Sequence, residues 1–241
     1  MMIGRQYLKI TKNLHLYQME QTITIETSSY QPNKFVLFVA KVISYLFHPL
    51  FIPTYIFLFL MYQFPSEFAG ITEMGLKLKL FGLFWMTAFF PAFAVFLLWK
   101  LKFTENIFLK TQKERIIPFF VTMFFYWWMF YLSRSKQFED QPAVMKFFFF
   151  GIFISTSIGV VINNFIKISL HGMAIGAALT AIVLFSFYYQ VSLGLPISIA
   201  TLISGAVCTS RFIAGNHTNR EMYIGLLVGA VCQLLGYWIM M

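Results

Sequence analysis

The sequence predicts an all-α protein, a polytopic bundle of about seven transmembrane helices. Three observations carry that expectation. Of 241 residues, 59% are hydrophobic and only 11% are charged, whereas soluble domains run near a quarter charged. Aromatic residues supply 20% of the chain, with 31 phenylalanines among them. The apolar residues also fall into runs of the length a membrane helix needs, roughly 20 residues.

Residues 1–34 read as an N-terminal segment, cytoplasmic or interfacial, ahead of one transmembrane domain over 35–241. In that segment Leu8, Ile10, Leu14, Leu16 and Tyr17 intersperse with Lys and Arg. The pattern suits a helix lying on a membrane surface, and equally a disordered lead-in. It lacks the apolar core and small-residue cleavage site of a signal peptide. The first span is expected over 35–63, kinked at Pro49 and Pro53. The second covers 80–101, with Pro91 inside it. The third is 116–132, "IIPFFVTMFFYWWMFYL", and the fourth 147–166. The fifth and sixth, 171–190 and 192–210, are separated so briefly that they form a tight hairpin. The seventh is 221–241. Irregular backbone is not tolerated against lipid, so the prolines pack on neighbouring helices or line a cavity. Gly172/Gly176 and Gly225/Gly229 place small residues four apart, a spacing that permits close helix contact. Cys208 and Cys232 lie in apolar runs and read as buried thiols rather than a disulfide or metal knuckle.

The formal net charge is +9. Nucleic acid is not the expected partner, because no basic face separates from the membrane segments and no binding motif appears. Anionic lipid headgroups and phosphorylated substrates suit a basic membrane protein better. With the N-terminus inside, one face collects Arg5, Lys9, Lys12, Lys34, Lys102, Lys110, Lys113, Arg115, Lys167, Arg211 and Arg220. The other holds Lys77, Lys79, Arg134, Lys136 and Lys146. The excess of basic residues on the first face predicts a cytoplasmic N-terminus. In either orientation the loops after spans two, four and six share a face. They contain "KTQKERIIP", "KISLHG" and "SRFIAGNHTNRE".

These loops hold a candidate site. His217 and Glu221 stand four apart, on one face if that stretch is helical, so the carboxylate can orient the imidazole and raise its basicity. His217 is then a candidate nucleophile. Arg211, brought back by a turn at Gly215 and Asn216, offers a planar fork of donors for phosphate oxygens. His171 is a candidate proton donor to a leaving group. Ser169, Lys110, Lys113 and Arg115 can hold further phosphate oxygens, and a helix N-terminus adds free N–H groups. His48, before Pro49, reads as a structural histidine serving a freed carbonyl. Two further readings stand beside the catalytic one. Polar residues at helix ends are ordinary interfacial anchors. His171, His217 and Glu221 also form a possible zinc triad, which the neighbouring Arg211 opposes.

The arrangement resembles the membrane-bound branch of the type 2 phosphatidic acid phosphatase superfamily. That family's third motif is Ser-Arg, five residues, His, three residues, Asp. Here it is Ser210, Arg211, "FIAGN", His217, "TNR" and Glu221, with Glu for Asp. The second motif, Pro-Ser-Gly-His, corresponds to Ile168, Ser169, Leu170 and His171, in which Ser and His match. The first, Lys, six residues, Arg-Pro, corresponds to Lys110, "TQKERI", Ile117 and Pro118, with Arg115 two positions before the missing arginine. The resemblance implies a six-helix core and hydrolysis without metal or other cofactor. His217 would form a phosphohistidine, His171 would protonate the leaving oxygen, and water would then release phosphate. Arg211, Lys110, Arg115 and Ser169 would hold the phosphate, with Glu221 orienting His217. The implied substrates are lipid phosphomonoesters or polyprenyl pyrophosphates, with phosphatidic acid and phosphatidylglycerophosphate as candidates, at a bacterial inner membrane. Related branches bind vanadate for haloperoxidase chemistry, but those relatives are largely soluble. The alternatives are a catalytically inactive lipid-binding protein of the same fold and a membrane transporter, the latter suggested by the proline-broken helices.

Overall fold

The computed structural model describes residues 32–103, 112–135, 141–215 and 218–241. It is all-helical, with no strand among the described residues. Seven segments are long and apolar enough to cross a membrane: Lys34–Gln63, Glu73–Lys100, Gln112–Ser133, Val144–Asn163, Leu170–Tyr189, Gly194–Ile213 and Asn219–Met240. The chain is an integral membrane protein. It divides into residues 1–36 and 37–241, and the second unit holds the bundle.

The first span is broken at proline, and the second carries a π turn just before one. In the first, α1 (Lys34–Leu46) stops before a 3₁₀ turn, Pro49–Phe51, from which α2 (Ile52–Gln63) continues. His48 caps that turn in extended geometry, its side chain accepting from the Leu50 N–H. Proline lacks a donor N–H and blocks the preceding turn, so the break falls where the chemistry requires it. In the second, α3 (Glu73–Phe84) and α4 (Phe90–Lys100) flank a π turn, Trp85–Phe89, and Pro91 is buried in the first turn of α4. The span starts at Glu73 rather than at residue 80, because Thr72 caps it through the Gly75 N–H and Lys77 pairs with Glu73 at 2.6 Å. Lysine stems can lie along apolar surface with their charge in water, so Lys77 and Lys79 do not end the helix.

The remaining helices are α5 (Gln112–Ser133), α6 (Val144–Asn163), α7 (Leu170–Tyr189), α8 (Gly194–Ile213) and α9 (Asn219–Met240). The centre is α6, α7 and α9. Contact is most extensive between α9 and α7, then between α9 and α6, while α5 packs on α6 and α8 on α7. A side chain at Gly176 would strike the Leu226 carbonyl, and one at Gly229 the Met173 carbonyl. The glycine pairs thus let the α7 and α9 backbones touch. The core beneath is aromatic and aliphatic, with Phe57, Phe147, Phe148 and Phe185 fully buried. Large apolar side chains such as Leu195, Leu202 and Trp238 point outward, as lipid-facing positions should. The α7–α8 hairpin is as tight as its sequence implies, closed by Gln190 in left-handed geometry.

Candidate functional site

The site forms where helix ends meet at one face of the bundle. The start of α5, the end of α6, the starts of α7 and α9, the end of α8 and the α1–α2 break all meet there. Backbone and side-chain bonds tie these ends together. The Ser169 N–H donates to the Glu221 carbonyl at 3.3 Å, joining the first turns of α7 and α9. Asn163 Nδ2 donates to the Gln112 carbonyl at 3.0 Å, joining α6 to α5. Ser169 caps α7, accepting from the Gly172 N–H, and Thr218 caps α9, accepting from the Glu221 N–H.

Arg115 sits in the first turn of α5 and is only 7% exposed. Its Nη1 donates to the Ile168 carbonyl at 3.2 Å, beside Ser169. Ile117, which occupies the arginine position of the expected first motif, is 46% exposed. Helical geometry separates the two by about 200°, so residue 115 points inward and residue 117 toward lipid. Arg115 therefore enters the site from the position two residues upstream.

Arg211 lies in the last turn of α8, not in the loop expected from the sequence. The helix runs on to Ile213, and Gly215 follows in left-handed geometry (φ 64°), a usual way to end a helix. Arg211 is within electrostatic reach of Arg115, Tyr45 and His48. Its Nε is buried and has no hydrogen-bond partner among the described residues. Lys167, in the α6–α7 connection, is the third cation. Burial lowers its pKa, the Arg115 charge lowers it further, Glu221 raises it and Arg211 lowers it. Arg115, Arg211 and Glu221 are thus within electrostatic reach of Lys167.

His171 is 8% exposed, and its Nε2 lies 3.0 Å from the Ser44 carbonyl at the end of α1. A carbonyl only accepts, so Nε2 carries a proton. The His48 ring meets the His171 ring edge-on, with centroids 5.5 Å apart. The sequence assigned His48 to structure. It does cap the 3₁₀ turn, bonding an amide rather than a carbonyl, but it also borders the site. Lys167, Tyr45 and the Ser44 carbonyl were not singled out. Only Lys167 had a sequence signal, its place in the same "KISLHG" loop as Ser169 and His171.

Glu221 stands in the first turn of α9, within electrostatic reach of Arg115 and Lys167. Thr218 is the cap and the helix begins at Asn219, and the expected pairing of His217 with Glu221 lies outside the described residues. His217 and Asn216 lie outside the described residues, as does Lys110. The zinc triad depends on His217 and lies outside them too. Among the described residues no three His, Cys, Asp or Glu side chains gather as metal ligands.

The structure thus brings Arg115, Ser169, His171, Arg211 and Glu221 to one place, and adds Lys167 and His48. Comparisons with protein-family models, with curated proteins and with solved structures find no match. The chemistry open to the site is set by its own residues. Three cations gather where helix ends meet, an arrangement that suits an anionic group.

Proposed function

We propose that the protein hydrolyses a lipid phosphomonoester or a polyprenyl pyrophosphate without metal, through a phosphohistidine, as in the type 2 phosphatidic acid phosphatases it resembles. The observation that carries this reading is Arg211. Its Nε is buried without a partner among the described residues, and Arg115 and Lys167 are cations within its electrostatic reach. Leaving a buried donor unpaired is costly. A phosphate seated on Arg211, Arg115 and Lys167 satisfies that donor and offsets the repulsion between the cations.

In the proposed reaction a His217 nitrogen attacks phosphorus and the bond to the lipid oxygen breaks. His171 gives that oxygen a proton. His171 enters that step as the imidazolium and returns to the neutral ring when the proton leaves. Water then attacks the phosphohistidine, releases inorganic phosphate and restores His217. Arg211, Arg115 and Lys167 stabilise the charge on the equatorial oxygens, and Lys110 is assigned the same task. Glu221 orients His217. Acyl or prenyl chains stay in the bilayer and supply binding energy that the polar site need not generate. The excess of basic residues on this face assigns it to the cytoplasmic side, and a bacterial inner membrane fits the short loops.

A second reading is lipid-phosphate binding without turnover. It is favoured by the burial of His171 and by its bond to Ser44, which engages one ring nitrogen. Transport is the less favoured alternative, because the hydrophobic core of the bundle is packed with buried phenylalanines. The test is inorganic phosphate release in detergent from a panel of lipid phosphates, with chelator present. Release that persists in chelator and disappears in His217→Ala supports hydrolysis. Binding of the same lipids with no release by the unmodified protein supports the second reading.

A further inference from the structure

The first apolar segment does two separate jobs. The His48 ring adjoins His171 at the start of α7, and the Phe64 ring adjoins Tyr189 at its end, with centroids 4.0 Å apart. The chain from His48 to Phe64 therefore runs the length of α7. That helix has 20 residues, about 30 Å, the thickness of the hydrocarbon core. Spanning is complete without α1. The part of α1 that belongs to the bundle, Leu37–Leu46, adds about 15 Å of helix. Among the described elements none makes extensive contact along it.

Its surface is not that of a helix in water. From Leu37 onward, Ala40 and Ser44 are buried, while Phe38, Val39, Val42, Tyr45 and Leu46 are exposed. At 100° per residue, Lys41 and Tyr45 form one edge of the exposed face and Val39 and Leu46 the other, with Phe38 and Val42 between. A cationic edge beside an apolar face is the pattern of a helix lying in the membrane interface.

We propose that α1 lies in the plane of the membrane on the site-bearing face, with Phe38, Val39, Val42 and Leu46 at the acyl-chain boundary and Lys41 among anionic lipid headgroups. The occupant of its exposed face is the lipid surface. Two bonds fix its end to the bundle. The Ser44 carbonyl accepts from His171 Nε2, and the Leu46 carbonyl accepts from the Tyr55 hydroxyl at 2.8 Å. The tilt of α1 on the lipid surface thereby sets the orientation of the His171 ring. This placement does not depend on whether the protein hydrolyses anything.

The test uses the full chain with Cys208 and Cys232 changed to alanine and a single spin label at residue 38, 39, 41, 42 or 46. The protein is reconstituted in phosphatidylcholine vesicles with and without phosphatidylglycerol. Paramagnetic relaxation by oxygen and by a water-soluble nickel chelate reports depth. The expected result is one shared shallow depth for 38, 39, 42 and 46, with 41 open to nickel. Phosphatidylglycerol deepens the four, and Lys41→Glu in the 38-labelled chain abolishes that shift. Depth rising steadily from 38 to 46 would mean a spanning helix and overturn the placement. Nickel access at all five positions would put α1 in water and overturn it equally. An in-plane profile indifferent to phosphatidylglycerol would overturn the headgroup contact.

Discussion

Arg211 and Lys167 test the site at the scale of single residues. Arg211 offers the buried donor without a partner among the described residues, and guanidinium geometry is matched to phosphate in a way ammonium is not. Arg211→Ala should lower turnover by about 10²–10³-fold, the usual cost of removing one donor to a developing oxyanion. Arg211→Lys should recover little of it. Steady-state phosphate release on both variants checks this, and turnover near the unmodified rate in Arg211→Ala would remove Arg211 from the mechanism. Lys167 supplies a pH dependence. Its pKa is held below the usual lysine value of 10.5 by burial and by Arg115 and Arg211, against the pull of Glu221. It binds phosphate only while protonated. Affinity is therefore full below the lowered pKa and falls as pH rises through it, earlier than for an ordinary lysine. Binding titrations of a lipid phosphate across alkaline pH should show that fall, and Lys167→Arg should flatten it.

At the scale of elements, the α7–α9 contact is the most demanding. A methyl group at Gly229 would enter the backbone of α7 at the Met173 carbonyl, and a backbone cannot move aside as a flexible side chain can. Gly229→Ala should destabilise the fold by about 1–3 kcal/mol, typical of overpacking. It should also lower activity, because Ser169 and Glu221 are bonded across the same contact. Thermal unfolding in detergent gives the first effect and phosphate release the second. The sequence made these elements legible because burial in lipid leaves long apolar runs, and glycine spacing marked the close contact. It was weaker at the ends, where local bonds decide. The cap at Thr72 moved the second span back to Glu73. The helix containing Arg211 extended to Ile213, because no residue before Gly215 interrupts it. The cap at Thr218 began α9 after His217.

For the whole molecule, the convergence of polar loops on one face was readable from span parity alone. The end of α1 joining that face was not. Ser44 acts through its backbone carbonyl, which leaves no mark in side-chain chemistry, and His48 lies far from the other site residues in the chain. Arg115 shows how the fold resolves what the motif could not: helical phase turns Ile117 outward and brings the upstream arginine in. The proposed hydrolysis stands or falls on a histidine that carries the phosphoryl group, and trapping that group is the decisive experiment. The protein would be mixed with a lipid phosphate labelled with ³²P and quenched within a turnover. Base-stable, acid-labile label on residue 217, absent in His217→Ala, is the expected result. Phosphate release with no labelled protein at any time, or label that survives the loss of His217, would contradict it.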